Sequence, residues 1–66
     1  MRNPLIKEYA LRDAAGAVHW VAIYAVELVG YCVYIDGQFY TNSDSYRLAE
    51  DAADDYTTCE GWEVMS

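Results

Sequence analysis

The chain is predicted to be a small α+β domain, an antiparallel β-sheet with one acidic α-helix packed on it, in the approximate order ββββαβ. Three observations carry this. β-branched and aromatic runs fill residues 5–41 and are parted by glycine-containing turns. A helical repeat containing Leu48, Ala49, Ala52, Ala53 and Tyr56 follows them. The chain has 66 residues, room for one core and two layers in a single compact domain, 1–66.

The elements follow in order. Leu5–Arg12 (LIKEYALR) alternates in part, with Leu5, Lys7, Tyr9 and Leu11 on one face and Glu8 on the other, which reads as a strand. Asp13-Ala-Ala-Gly16 supplies a hairpin loop, since Asp starts turns and Gly accepts positive φ. Val18–Val26 returns as a strand on its β-branched and aromatic content. A helix from Asp13 to Val29 is the rival reading, capped by Asp13, ended by Gly30, with Val18, Val21, Ala22, Ala25 and Val29 as its stripe. Gly16 and the β-branched residues count against it. Tyr31–Ile35 is a short apolar strand, and Asp36-Gly37 is a strong hairpin signal because a type I′ turn needs positive φ at both central residues. Gln38–Thr41 pairs back. Thr41-Asn-Ser-Asp44 offers several helix N-caps, and the helix is predicted from about Ser43 to Tyr56. Thr57 to Gly61 leaves it, and Trp62–Met65 reads as a last short strand.

Charge is the clearest global signal. Eleven Asp and Glu face four Lys and Arg, a formal net charge of -7. Such a chain is repelled by nucleic acid and anionic membrane and attracted to basic surfaces, less so as salt rises. Three of the basic residues, Arg2, Lys7 and Arg12, precede residue 13, and most acids follow residue 35. No apolar leader run follows Arg2, because Pro4, Lys7 and Glu8 interrupt it. Ala17–Ile35 is long enough to be weighed as a membrane span. Against that stand Glu27, which would cost roughly 2.5–3.5 kcal/mol near the bilayer centre, and the turn residues Gly30 and Asp36-Gly37.

On the helix, Leu48, Ala49, Ala52, Ala53 and Tyr56 form the predicted buried stripe, its alanines allowing close approach to the sheet. Arg47, Glu50, Asp51, Asp54 and Asp55 fall at i, i+3, i+4, i+7 and i+8 and share the opposite face. Arg47 can pair with Glu50 or Asp51, worth about 0.2–0.5 kcal/mol each. Asp54 and Asp55 lie toward the negative end of the helix dipole, where acids are unfavourable. Carboxylates one helical turn apart, about 6 Å along the axis, can engage Lys and Arg side chains that are built to read phosphates along a DNA strand. Asp44 near the helix start, and Glu60 and Glu63 beyond it, extend the row. A solvated acidic face is the plainer alternative.

Chemistry-bearing constellations are not legible. His19, between Val18 and Trp20, reads as a packed or edge histidine. Cys32 reads as core, Cys59 has a carboxylate neighbour that disfavours a thiolate, and reduced thiols are favoured over a disulfide. The acids lack the spacing of a calcium loop. No catalytic residue, metal site or cofactor is therefore expected, and the chain reads as non-enzymatic. Tyr24, Tyr31, Tyr34, Tyr40 and Trp62 cannot all be buried in so thin a domain. They either mark a contact surface or cover the outer sheet face through cross-strand pairs. A small interaction module or weak homodimer joined through this tyrosine-rich face is the second functional reading.

In size, acidity and its combination of small sheet with acidic helix, the whole chain resembles the small phage-encoded anti-CRISPR proteins of the DNA-mimic type, inhibitors of type I systems such as type I-C. The resemblance rests on no diagnostic motif. It implies a protein in the cytoplasm of the host bacterium that binds a Cas surface normally occupied by DNA, such as the subunit of a Cascade complex that recognises the protospacer-adjacent motif. It also implies that Asp44, Glu50, Asp51, Asp54, Asp55, Glu60 and Glu63 contact Lys and Arg of that partner, with no direct binding of nucleic acid or membrane.

Overall fold

The computed structural model describes residues 4–65; Arg2 lies outside them. The elements are β1 (Leu5–Arg12), β2 (Val18–Val26), β3 (Gly30–Ile35), β4 (Gln38–Ser43), α1 (Tyr46–Glu60) and β5 (Glu63–Val64). The five strands form one antiparallel sheet in the order β4-β3-β2-β1-β5. This is the predicted α+β class and element order. The rival helix over residues 13–29 is not formed: that segment is the β1–β2 turn, all of β2 and the β2–β3 turn. No helix among the described residues is long and apolar enough to cross a membrane.

The turns work as their residues require. Asp13 Oδ1 accepts the N–H groups of Ala15 and Ala17, each at 2.9 Å, pinning the β1–β2 loop. Asp36 (φ 54°) and Gly37 (φ 81°) both have positive φ, as a two-residue hairpin demands.

The core lies between the sheet and α1. Leu11, Val21, Ile23, Val33 and Ile35 project from the sheet onto Ala49 and Ala53 of the helix. Because β-strand side chains alternate, cross-strand partners share a face. A bulge between Leu5 and Lys7 breaks that alternation in β1. Leu5 therefore pairs with Tyr24 on the face away from α1, while Lys7 pairs with Ile23 on the helix side. The sequence pattern had placed Leu5 with Tyr9 and Leu11.

The helix differs from its prediction in start, end and rotation. β4 extends through Ser43, so α1 begins at Tyr46 with Ser45 in the cap position, making no side-chain cap hydrogen bond. Asp44 lies outside the helix rather than in its first turn. At the other end Thr57, Thr58, Cys59 and Glu60 remain helical. Gly61 stops the chain in the left-handed conformation (φ 76°). The Gly61 N–H donates to Thr58 C=O (3.0 Å) and the Trp62 N–H to Thr57 C=O (2.9 Å), the Schellman pattern. The buried residues are Ala49, Ala53 and Thr57, and Leu48 is exposed. The stripe thus runs Tyr46–Ala49–Ala53–Thr57, rotated from the predicted one. Tyr46 sets the rotation by packing edge-on against Tyr31 (5.8 Å between ring centres).

Candidate functional site

The outward face of α1 carries Arg47, Leu48, Asp51, Asp54, Asp55, Thr58 and Cys59, all exposed. Asp51, Asp54 and Asp55 fall within about 6 Å of helix axis. Among the described residues the ion pairs are Lys7–Glu50 and those of His19 with Asp13 and Asp36. Asp51, Asp54 and Asp55 take part in none of them, and neither does Arg47.

Glu50 behaves differently from its neighbours. Lys7 Nζ donates to Glu50 Oε2 at 2.7 Å, and Tyr46 Oη donates to the same oxygen at 3.1 Å. The predicted Arg47 pairing is absent because the helix is rotated, turning Glu50 toward β1. The Lys7 hydrogen bond, followed by that of Tyr46, holds the Glu50 carboxyl below its ordinary range. The same bond raises Lys7. Lys7 also stands 5.1 Å above the centre of the Tyr9 ring. Glu50 therefore helps tie α1 to the sheet. Its carboxylate is shared with Lys7 and Tyr46, whereas those of Asp51, Asp54 and Asp55 find no ion pair among the described residues.

The ends of the predicted row separate. Asp44 is exposed just ahead of α1, and Glu60 is exposed at its last residue. Glu63 does not extend the row. It pairs with Arg12, which pairs with Val18, and that register puts it on the face of the sheet turned away from α1. The cause is the period of two: Leu11 and Val64 face the helix, so their neighbours Arg12 and Glu63 face away.

No family model, curated protein or solved structure matches this chain.

A second cluster, at the opposite end of the sheet from the β2–β3 turn, was not read from the sequence. His19 Nε2 lies 2.8 Å from Asp13 Oδ2 and His19 Nδ1 lies 2.7 Å from Asp36 Oδ2. A ring that donates from both nitrogens is an imidazolium. The bond to Asp13, then that to Asp36, raises the His19 pKa above its ordinary 6.5. His19, followed by the Ala17 N–H, lowers Asp13. At Asp36 burial pushes upward, but the His19 bond and the Trp20 N–H outweigh it and the group is lowered. The imidazole also stacks on the Trp62 indole, 3.8 Å between ring centres and 4° from parallel. Trp62 in turn packs edge-on to Tyr56 of α1. His19 thus joins two hairpin turns and the segment after the helix. Both its nitrogens are engaged by carboxylates of its own chain. The sequence signal was slight: Asp13 and Asp36 each open a turn, and nothing in linear spacing brings them to one ring. Among the described residues no group of three His, Cys, Asp or Glu is placed to hold a metal ion.

Proposed function

We propose that this chain is a non-enzymatic inhibitor that uses its acidic helix as a mimic of DNA. It would occupy a basic, DNA-receiving surface of a type I Cascade-type CRISPR–Cas complex in the host cytoplasm and block target recognition. The observation that carries the reading is the outward face of α1, where Asp51, Asp54 and Asp55 share one patch and none is ion-paired among the described residues. An acidic face kept merely for solubility needs no such concentration next to an unpaired Arg47. The acids add to the net charge of -7, and their mutual repulsion costs stability. Asp51, Asp54 and Asp55 span about 6 Å of helix axis, close to two phosphate spacings of one DNA strand; Asp44 lies just ahead of the helix, and Glu60 continues the line of the buried stripe at its far end. Glu50 is a peripheral contributor, since Lys7 and Tyr46 already hold its carboxylate.

The test is replacement of Asp51, Asp54 and Asp55 together by Lys, followed by binding to a purified type I-C Cascade complex. Among the described residues none of the three makes an ion pair or side-chain hydrogen bond, so the variant should keep the wild-type circular dichroism. Its affinity should fall at least about 100-fold. A folded triple variant that binds as tightly as wild type would overturn the proposal.

A further inference from the structure

The two faces of the sheet have different surroundings. One is covered by α1. Across the other, the strand registers lay out two rows: Glu8, Ala22, Tyr34 and Phe39 in one, and Leu5, Tyr24, Cys32 and Asn42 in the next. Ala10 with Trp20 and Arg12 with Val18 complete the face. No described element lies over it. Tyr24 and Tyr34 meet edge-on at 5.5 Å, and Tyr34 and Phe39 at 5.8 Å. Their rings roof Ala22 and Cys32, which are buried although no helix covers them. Tyr24 and Tyr34 are themselves half-buried, and the large side chains around them stay open to solvent: Trp20 is 51% exposed, Phe39 57% and Val18 45%. Large side chains grouped in this way are unusual on the surface of a monomer.

Charge says what kind of surface fits there. Among the described residues this face carries Glu8, Arg12 and Glu63, a net of one negative charge, and Arg12 and Glu63 are cross-strand neighbours. The chain as a whole carries -7. A basic partner of the kind that the helix face attracts would gain little here, and nucleic acid would meet a nearly neutral surface with one arginine. A second copy of the chain is suited to it. Two sheets packed face to face lie about 10 Å apart, and each adds a helix about 10–12 Å thick on its far side. The acidic helix faces would then be at least about 30 Å apart, more than three Debye lengths at physiological salt, so their repulsion is screened. The size is modest. Four inter-strand steps by about six residues give roughly 400 Å² per copy, or about 800 Å² in all, the size of a weak, transient interface.

We propose that the open face of the sheet, centred on Trp20, Tyr34 and Phe39, is the interface of a reversible homodimer in which two copies pack sheet to sheet. The proposal does not depend on the reading of the acidic helix, and the dimer leaves both acidic faces pointing outward. Dissociation is expected on the order of 10 µM. Sedimentation of the full chain from about 1 µM to about 1 mM should show monomer converting to dimer. The association should hold or tighten from about 0.15 M to about 1 M salt, because it buries apolar surface between like-charged chains. Trp20→Lys and Phe39→Lys should each give a folded monomer, whereas Leu28→Asp, away from this face, should dimerise as wild type does. A measurement that needs no variant accompanies these: on dilution of wild type the Trp20 indole N–H resonance should shift and that of Trp62, on the helix side, should not. A chain monomeric throughout the range, or a dimer that persists in folded Trp20→Lys and Phe39→Lys, would overturn the proposal. So would a dilution shift at Trp62 with none at Trp20.

Discussion

Leu28 offers a direct check on the backbone of the β2–β3 turn. Val29 N–H donates to Val26 C=O at 3.1 Å and closes a four-residue turn. Leu28 holds its third position with φ 68°, where a type II turn calls for Gly or Asn. An L-residue in that region loses about 1–2 kcal/mol. Leu28 is 101% exposed, so no burial offsets the strain. Leu28→Gly removes the strain and deletes no packing, but it frees the unfolded chain, at a cost of about 0.5–1 kcal/mol. The midpoints of the two ranges leave a net gain of about 0.75 kcal/mol, or roughly 3–6 °C in melting temperature for a domain of this size. Thermal unfolding followed by far-ultraviolet circular dichroism, at a fixed low protein concentration, measures it. A variant that melts at or below the wild-type temperature would refute the reasoning, because it would mean that the turn is unstrained or that Leu28 is packed.

Two further predictions concern buried and charged groups on the sheet. His19 has a raised pKa in the folded chain, so the stability it contributes is fully present below its unfolded value of about 6.5 and fades as pH rises through the higher folded value. Asp13 and Asp36 have lowered pKa values, so their share persists above about 3.8 and is lost as pH falls below it. The melting-temperature deficit of His19→Gln should therefore be greatest between about pH 4 and 6.5 and shrink above that window; a deficit that grows with rising pH would contradict the bridge. The Tyr9 hydroxyl is buried without a hydrogen-bond partner among the described residues, and burial is the first cause of its raised pKa. Tyr9→Phe removes an unsatisfied polar group worth about 1–3 kcal/mol, so it should raise the urea midpoint with the slope unchanged, and a lower midpoint would show that the hydroxyl has a partner.

The strands were legible because LIKEYALR alternates in part, because VHWVAIYAV is rich in β-branched and aromatic residues, and because Asp36-Gly37 admits few structures other than a tight turn. The helix was legible as an element but not in its details. Its rotation depends on Tyr46 finding Tyr31, a contact between residues fifteen apart in sequence. Its extension through Thr57-Thr58-Cys59 runs against their poor helix propensity and holds because Thr57 is buried and Gly61 caps the end. For the acids, linear spacing identified Asp51, Asp54 and Asp55 as neighbours. It could not show that Glu50 turns to Lys7, because that follows from the helix rotation. Nor could it show that Glu63 faces away, because that follows from pairing between β5 and β1. His19 was legible least of all, since its two partners arrive from separate turns.

Competition with duplex DNA tests the central claim most directly. With the chain bound to a purified type I-C Cascade complex, increasing concentrations of target duplex should displace it, and the displacement should be mutual. Binding should also weaken steeply as salt rises from about 0.05 M to about 0.2 M, as expected for a surface built for phosphates. A stable ternary complex of Cascade, duplex and this chain, with binding insensitive to salt, would contradict the account.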